Sequence, residues 1–319
     1  SNINEQLIFE IADAMVDKGY RDAGYEYLVI DDCWSCRERD RSGKLVADPE
    51  KFPHGMKYVA DYVHSKGLKF GMYSAAGIMT CAGYPGSYGH EYQDAHTFAE
   101  WGVDYLKYDL CHYPGSGDVR NSYLTMSMAL RSTGREILFA GCTCGTYDPW
   151  DWMRSIGAHM YRSHADITDE YEAFRYIAQT QLPNFKYSGP GCFNDMDMLV
   201  VGMGGEGNVS HTGGCTDEEY LMHFSLWCLW GTPLMMGADI RNVNEYCRSV
   251  MLNRELIALN QDPDARAPFY EEKQRYASKA RMGLLKFLAN GEIVIAYYNF
   301  DINPLQVLLY FDDYGIPGG

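Results

Sequence analysis

The chain has 319 residues, and none of its apolar runs approaches the ~20 residues of a membrane-spanning helix. It is poor in basic residues: 27 Lys and Arg stand against 43 Asp and Glu, for a formal net charge of −16. A groove for nucleic acid needs a positive field, so this balance argues against one. No GxGxxG follows an early strand pattern, which removes the main signature of a dinucleotide fold. Cys33 and Cys36 form one CxxC, with no second CxxC and no nearby His pair, so no metal site is expected there. Ten cysteines in a chain of this length do not make a dense disulfide scaffold. No signal peptide opens the sequence. It begins directly in a helical pattern, and the expectation is that the true start lies upstream.

Glycine (32), tyrosine (26) and tryptophan (6) are abundant, which fits loops and aromatic surfaces around a flat polar ligand. Apolar residues make up 46% and charged residues 22%, a globular balance. The length predicts one large domain or two moderate ones. Leu7, Ile8, Ile11, Ala12, Met15 and Val16 share one helical face, and Gly19 ends that helix. Seven strand-like runs follow: YEYLVIDD, LKFGMYS, VDYLKYDL, EILFAG, HMYRSHADI, FNDMDMLVV and GTPLMMG. Helical patterns separate them at 55–66, 92–101, 118–133, 168–181 and 216–230, with a last helix near 242–259. Alternating strands and helices imply a parallel sheet with helical crossovers.

The polar residues choose between an open sheet and a barrel. Asp31, Asp32, Tyr73, Lys107, Asp109, Arg162, Asp166, Asp195 and Asp197 lie at or just past strand ends. In a (β/α)8 TIM barrel those ends converge on one face. The expected fold class is therefore an α/β (β/α)8 barrel whose first strand precedes Ser1. After about residue 264 the pattern changes. RMGLLKFLANGEIVIAYYNF reads as a hairpin turning at Asn290–Gly291 with a type I′ signal, and LQVLLYF adds a third strand. The expected domains are residues 1–263, the barrel, and 264–319, the start of an antiparallel β domain.

In LKYDLC, Lys107 and Asp109 point to the same face of a strand. They read as a structural ion pair or as a carboxylate kept ionised by its neighbour, competent as a nucleophile. In RSHADITD, Arg162, His164 and Asp166 share a parity, Asp166 is the natural second carboxylate, and Asp169 reads as a helix cap. A retaining glycosidase needs two carboxyls about 5–5.5 Å apart. Asp31 and Asp32 suit hydroxyl donors of a neutral sugar, or a turn cap. Asp195 reads as structural and Asp197 as substrate-facing. A Schiff-base aldolase using Lys107 is a rival reading, disfavoured because Asp109 beside it would raise the lysine pKa. A non-catalytic sugar-binding protein is another, disfavoured because both carboxylates are present.

The motifs YEYLVIDDCW, ADPEKFPHGMKYVADYVHSKGLKFGMYS, TCAGYPGSYG, WGVDYLKYDLC, RSHADITD, GPGCFNDMDMLVVG and LNQDP run in order over residues 5–263. In them the chain resembles glycoside hydrolase family 27, the α-galactosidase and α-N-acetylgalactosaminidase family. That resemblance implies a barrel followed by an antiparallel β domain, a retaining double displacement and no cofactor. It implies Asp109 as nucleophile and Asp166 as acid/base. It carries sugar binding to Asp31, Asp32, Tyr73, Lys107, Tyr147, Arg162 and Asp197, and a disulfide to Cys81 and Cys111. The family's opening strand with a sugar-stacking Trp is absent, so the chain is expected to be a fragment whose activity alone is in doubt.

Specificity in the family lies in the loop after the fifth barrel strand, here CTCGTYDPW, with Thr143 and Thr146 at the positions that contact the sugar's 2-substituent. These small residues lean toward tolerating an acetamido group, although Trp150 or Trp152 could fill the space. The expected activity is release of terminal α-linked galactose. An α-N-acetylgalactosaminidase and a β-L-arabinopyranosidase are the alternatives. The expected partner is a small-molecule carbohydrate, with no nucleic acid and no membrane; a homo-oligomer stays open. Cysteines without family partners lean toward a reducing cytoplasm. The sequon Asn208-Val209-Ser210 is the weak contrary signal, and a secreted protein stays open.

Overall fold

The computed structural model describes residues 2–115, 117–270, 281–304, 306–310 and 314. The chain divides into two compact units, Ser1–Ala267 and Pro268–Gly319.

The first unit alternates helices and parallel strands. Helix α1 spans Glu5–Asp17; Asn4 caps it by accepting the Leu7 amide at 2.9 Å, and it buries Ile8, Ala12 and Met15. Strands β1 (Tyr27–Val29), β2 (Lys69–Ala75), β3 (Tyr105–Asp109), β4 (Leu138–Cys142), β5 (Met160–Arg162) and β6 (Phe193–Asp195) follow, paired in that order. All five pairings are parallel. Between them come α2 (Gly55–Ser65), α3 (Glu91–Trp101), α4 (Val119–Ser132) and α5 (Pro149–Trp152). Then come α6 (Tyr171–Gln181), α7 (Asp217–Trp230), α8 (Glu245–Met251) and α9 (Arg254–Asn260). The six strands curl into a half-barrel of the (β/α)8 type, open between β1 and β6.

Strand parity divides the side chains. Leu28, Phe70, Met72, Leu106, Tyr108, Phe139 and Tyr161 are buried, as are Val59, Val63, Phe98 and Met126 on the helices. Parallel strands covered by helices need such near-continuous apolar runs. The other parity faces the barrel interior. There Val29, Gly71, Tyr105 and Leu138 form one register row. A Cβ on Gly71 would stand 2.6 Å from Val29 Cγ2 and 3.0 Å from Tyr105 Cδ1, so the row has no room for another side chain there. Further along the strands the rows turn polar: Tyr73 aligns with Lys107, Ala75 with Asp109, and Cys142 with Arg162 and then Asp195.

Several expectations need correction. GTPLMMG makes no strand. It makes one isolated parallel bridge, Met236 to Leu199 in the segment that follows β6, closed by Leu199 N–H to Met235 O and Gly237 N–H to Leu199 O. Pro233 has no N–H to extend the ladder. The last helical stretch is two helices, interrupted at Asn253, whose side chain caps α9 by accepting from Glu255 and Leu256. Strand β5 ends at Arg162, so His164 and Asp166 lie on a loop and share no strand parity with it.

The second unit carries an antiparallel sheet of β7 (Phe269–Tyr270), β8 (Arg281–Phe287) and β9 (Ile293–Asn299). The hairpin turn differs from type I′. Only Gly291, at φ 89, has a positive φ, and its N–H bonds Leu288 O while Leu288 N–H bonds Glu292 O. This is a three-residue loop, a turn followed by one left-handed glycine. Residues 306–310 of the expected LQVLLYF strand are not in a strand, and 305 and 311 lie outside the described residues. Among the described residues, no helix is long and apolar enough to cross a membrane.

Candidate active site

The polar row ends meet at the C-terminal edges of β1 to β6, the face where barrel chemistry is placed. Asp109, the last residue of β3, is 8% exposed. Its Oδ2 accepts the Tyr73 hydroxyl at 3.1 Å and its Oδ1 accepts the Leu110 amide at 2.8 Å. Tyr73 is held in turn by Trp34, whose indole donates to Tyr73 O at 2.9 Å. Burial and the nearby carboxylates, Asp109 foremost, raise the Tyr73 phenol far above its ordinary value, so it serves as a donor.

Lys107 bonds Asp31 Oδ2 at 2.7 Å and lies 5.4 Å from the centre of the Tyr73 ring. Asp31 is open to the cleft on one side, with a side chain 61% accessible, and crowded by protein on the others. Burial works against its charge, but Lys107 and the Asp32 amide outweigh burial and hold the carboxyl below the ordinary range. For Lys107 burial again opposes the charge, and Asp31 overcomes it, so the ammonium stays above its ordinary value. A Schiff-base lysine needs the neutral amine, so this environment argues against the aldolase reading. Asp32 accepts the amides of Cys33 at 2.7 Å and Ala82 at 2.9 Å, tying down the segment that holds Cys81.

Arg162, the last residue of β5, is 4% exposed and bonds two carboxylates, Asp166 Oδ1 at 2.6 Å and Asp197 Oδ2 at 2.5 Å. Its Nε is buried with no partner among the described residues. Asp166 is the most open of the group, with a side chain 78% accessible. Asp197 is nearly enclosed and accepts the amides of Ile167 and Met198, each at 2.7 Å. Its backbone is left-handed, at φ 82, and it is locked by Asp195 Oδ1 on its amide and by the Trp227 indole on its carbonyl. Burial pushes Asp197 up to about 6, with Arg162 pulling the other way and Asp195 adding to the rise. Asp195 is raised too, by burial against the pull of Arg162.

The loop after β4 closes on itself. Thr143 Oγ1 donates to Thr146 O at 2.7 Å, and Thr146 Oγ1 donates to Thr143 O at 2.6 Å. Thr143 is buried, whereas Thr146 and Tyr147 are exposed. The hydroxyls of both threonines are therefore spent inside the loop. Sequence reasoning passed over two residues here. The sulfurs of Cys142 and Cys144 lie 3.7 Å apart, and Cys144 Sγ lies 3.9 Å from Asp166 Oδ1. Both sulfurs also lie within 4.8 Å of an Asp109 carboxylate oxygen. The C-x-C at a strand end was the available signal.

Cys81 and Cys111 are joined, with Cα atoms 5.0 Å apart. The bridge brings Cys81 Sγ to 3.8 Å from Asp109 Oδ2 and Cys111 Sγ to 3.8 Å from the Tyr73 hydroxyl. Asp169 is not a helix cap. It is fully buried, with Oδ2 accepting from Gly205 N and Ser210 Oγ and Oδ1 from the Tyr220 hydroxyl. His164 rests against Tyr176 at a ring distance of 5.5 Å. A cavity of about 910 Å³ opens at the opposite ends of the strands, lined by Tyr27, Lys69, Arg131, Leu138 and His159. None of the carboxylates above reaches it.

A family model described as alpha galactosidase A matches residues 1–262. Alpha-galactosidase A of Cellvibrio japonicus is 45% identical over 272 residues, which covers 82% of this chain and 64% of that protein. The chain thus spans less than two-thirds of that relative's length. Among solved structures, alpha-galactosidase I from Mortierella vinacea aligns with a TM-score of 0.86 at 34% identity, over 93% of this chain and 78% of that one. The Saccharomyces cerevisiae alpha-galactosidase with raffinose aligns with a TM-score of 0.82 at 34% identity, over 93% and 70%.

Proposed function

The chain belongs to glycoside hydrolase family 27, and from that premise we propose that it is the catalytic part of a retaining exo-glycosidase releasing terminal α-linked galactose. The observation that carries this reading is a pair of carboxylates of opposite exposure flanking one cleft. Asp109 is buried and hydrogen-bonded, Asp166 is open, and Cys144 Sγ lies between them, within 4.8 Å of an Asp109 oxygen and 3.9 Å from Asp166 Oδ1. Asp109 attacks the anomeric carbon and forms a covalent glycosyl ester. Asp166 protonates the departing oxygen, then takes a proton from the water that cleaves the ester. A buried nucleophile and an exposed acid suit that division, because the aglycone leaves and water enters on the open side. Asp31, Asp197 and Lys107 supply charged hydrogen-bonding groups for sugar hydroxyls. Tyr147, on the exposed loop, is assigned to the rim of the sugar site. The raffinose bound by the yeast relative supports an oligosaccharide substrate.

The test is hydrolysis of an aryl α-galactoside. Asp109→Asn is expected to abolish turnover, and wild-type rates in that variant would overturn the assignment. Release of N-acetylgalactosamine is the second reading, favoured by the small Thr143 and Thr146 clasped together in the loop. Side-by-side rates on aryl α-galactoside and aryl α-N-acetylgalactosaminide separate the two.

A further inference from the structure

We propose that Cys142, Cys144 and the carboxylate of Asp109 form a chelating site for a thiophilic divalent cation of the zinc and cadmium class, and that filling it takes Asp109 out of reaction. The two sulfurs are 3.7 Å apart. Two thiolates bound at about 2.3 Å to one tetrahedral Zn²⁺ stand about 3.8 Å apart, so the pair already has the spacing of two ligand corners. An oxygen of Asp109 lies within 4.8 Å of both sulfurs and supplies the third corner. Asp166 Oδ1 lies 3.9 Å from Cys144 Sγ but is bonded to Arg162 and does not join the three in mutual reach, so it is not counted as a ligand.

Both cysteines are free thiols. The neighbouring group of Cys81, Asp109 and Cys111 has no thiol to offer, because its sulfurs are joined to each other. The bond from Cys142 holds the Cys144 thiol below its ordinary value, while that same bond and burial hold the Cys142 thiol well above its own, so Cys144 ionises first and the cation itself displaces the Cys142 proton. Binding breaks two S–H bonds, forms two S–metal bonds and sends the protons to solvent, with no oxidation. Two thiolates and one carboxylate outweigh the charge of the cation. Arg162 and Lys107 then face the residual negative charge. A carboxylate bound to a divalent cation gives up negative charge to the metal and is a much weaker nucleophile toward carbon. The inhibition half of this inference rests on Asp109 as nucleophile; the binding half does not.

Titration of the protein with Cd²⁺ tests it, read by the ultraviolet thiolate-to-cadmium charge-transfer band. One equivalent is expected to bind, and the band is expected to vanish in Cys144→Ser and in Cys142→Ser. Cys144 sits on a partly open loop, so its serine variant is the one expected to keep the fold. The double variant Cys33→Ser/Cys36→Ser is expected to keep the band. A band that survives in Cys144→Ser, or is lost in the Cys33/Cys36 variant, overturns the site. In the second arm, Cd²⁺ is expected to stop hydrolysis of an aryl α-galactoside, EDTA to restore it, and Cys144→Ser to be insensitive in whatever hydrolysis it keeps. A full band with undiminished hydrolysis overturns the part played by Asp109. If the metal-free protein cleaves no α-galactoside, the proposed function fails while the titration still decides the site.

Discussion

Arg162 and Asp197 meet at 2.5 Å with both side chains almost wholly enclosed. Burial disfavours both charges; at Asp197 it outweighs the pull of Arg162, with Asp195 adding to the rise, whereas at Arg162 the several acids around it outweigh burial. The result is a carboxyl pushed up to about 6 from an ordinary 3.8.

A pH dependence of stability follows. Between about pH 4 and 6 the native protein holds a proton on Asp197 that the unfolded chain has released. This contribution to stability is full below about 4 and is lost as pH rises through about 6. Asp197→Asn cannot titrate, so its melting temperature relative to wild type should climb between pH 4 and 7. A difference that stays flat, or falls, contradicts the raised carboxyl.

Tyr73→Phe removes the hydroxyl that Asp109 Oδ2 accepts at 3.1 Å and leaves the ring packing in place. A hydrogen bond to a charged group contributes about 1.5–3 kcal/mol, so kcat/KM should fall roughly 10- to 100-fold. Steady-state kinetics on an aryl α-galactoside measures it; an unchanged rate means the bond does not serve the reaction.

Asp169→Ala separates a cap from a hub. Loss of an N-cap costs about 1 kcal/mol. Asp169 is fully buried and receives three donors from the segment 205–220, so its loss should cost well over about 2 kcal/mol. Urea unfolding of the variant gives the number, and limited proteolysis should show earlier cutting within 202–215.

The Cys81–Cys111 bridge closes a loop of sequence separation 30. Loop-closure entropy for that length gives about 3–4 kcal/mol. Cys81→Ser/Cys111→Ser should therefore melt several degrees lower. The same variant should lose activity, since Cys111 follows Asp109 by two residues and the bridge lies against Tyr73.

The strand-borne half of this arrangement was legible in the sequence, because period-two alternation and a polar residue at each strand end are local signals. Tyr73, Lys107, Asp109 and Arg162 were found that way, and the register rows bring them together. What escaped depends on loops and on distant partners. Thr143 turns inward because its partner is the carbonyl of Thr146, a turn that side-chain pattern does not encode. Cys142 and Cys144 converge on the carboxylates because Cys144 takes a left-handed backbone, at φ 49. Asp169 looked like a cap because its true partners arrive 36 to 51 residues later. The run GTPLMMG is apolar enough for a strand, but composition alone cannot show that it would form a single isolated bridge to the segment after β6.

The closed loop after β4 has one further consequence. It is pinned at its start by Tyr123, whose hydroxyl donates to Cys142 O at 2.7 Å, and near its end by Trp152, whose indole donates to Tyr147 O at 2.7 Å. Between these pins the threonines satisfy each other. The segment therefore behaves as a cassette. It can be exchanged whole, between Cys142 and Pro149, without unpicking the barrel wall beneath it, whereas single replacements inside it break a reciprocal clasp. Under the proposed function, in which this loop faces the sugar, preference is expected to change by block exchange more readily than by point substitution.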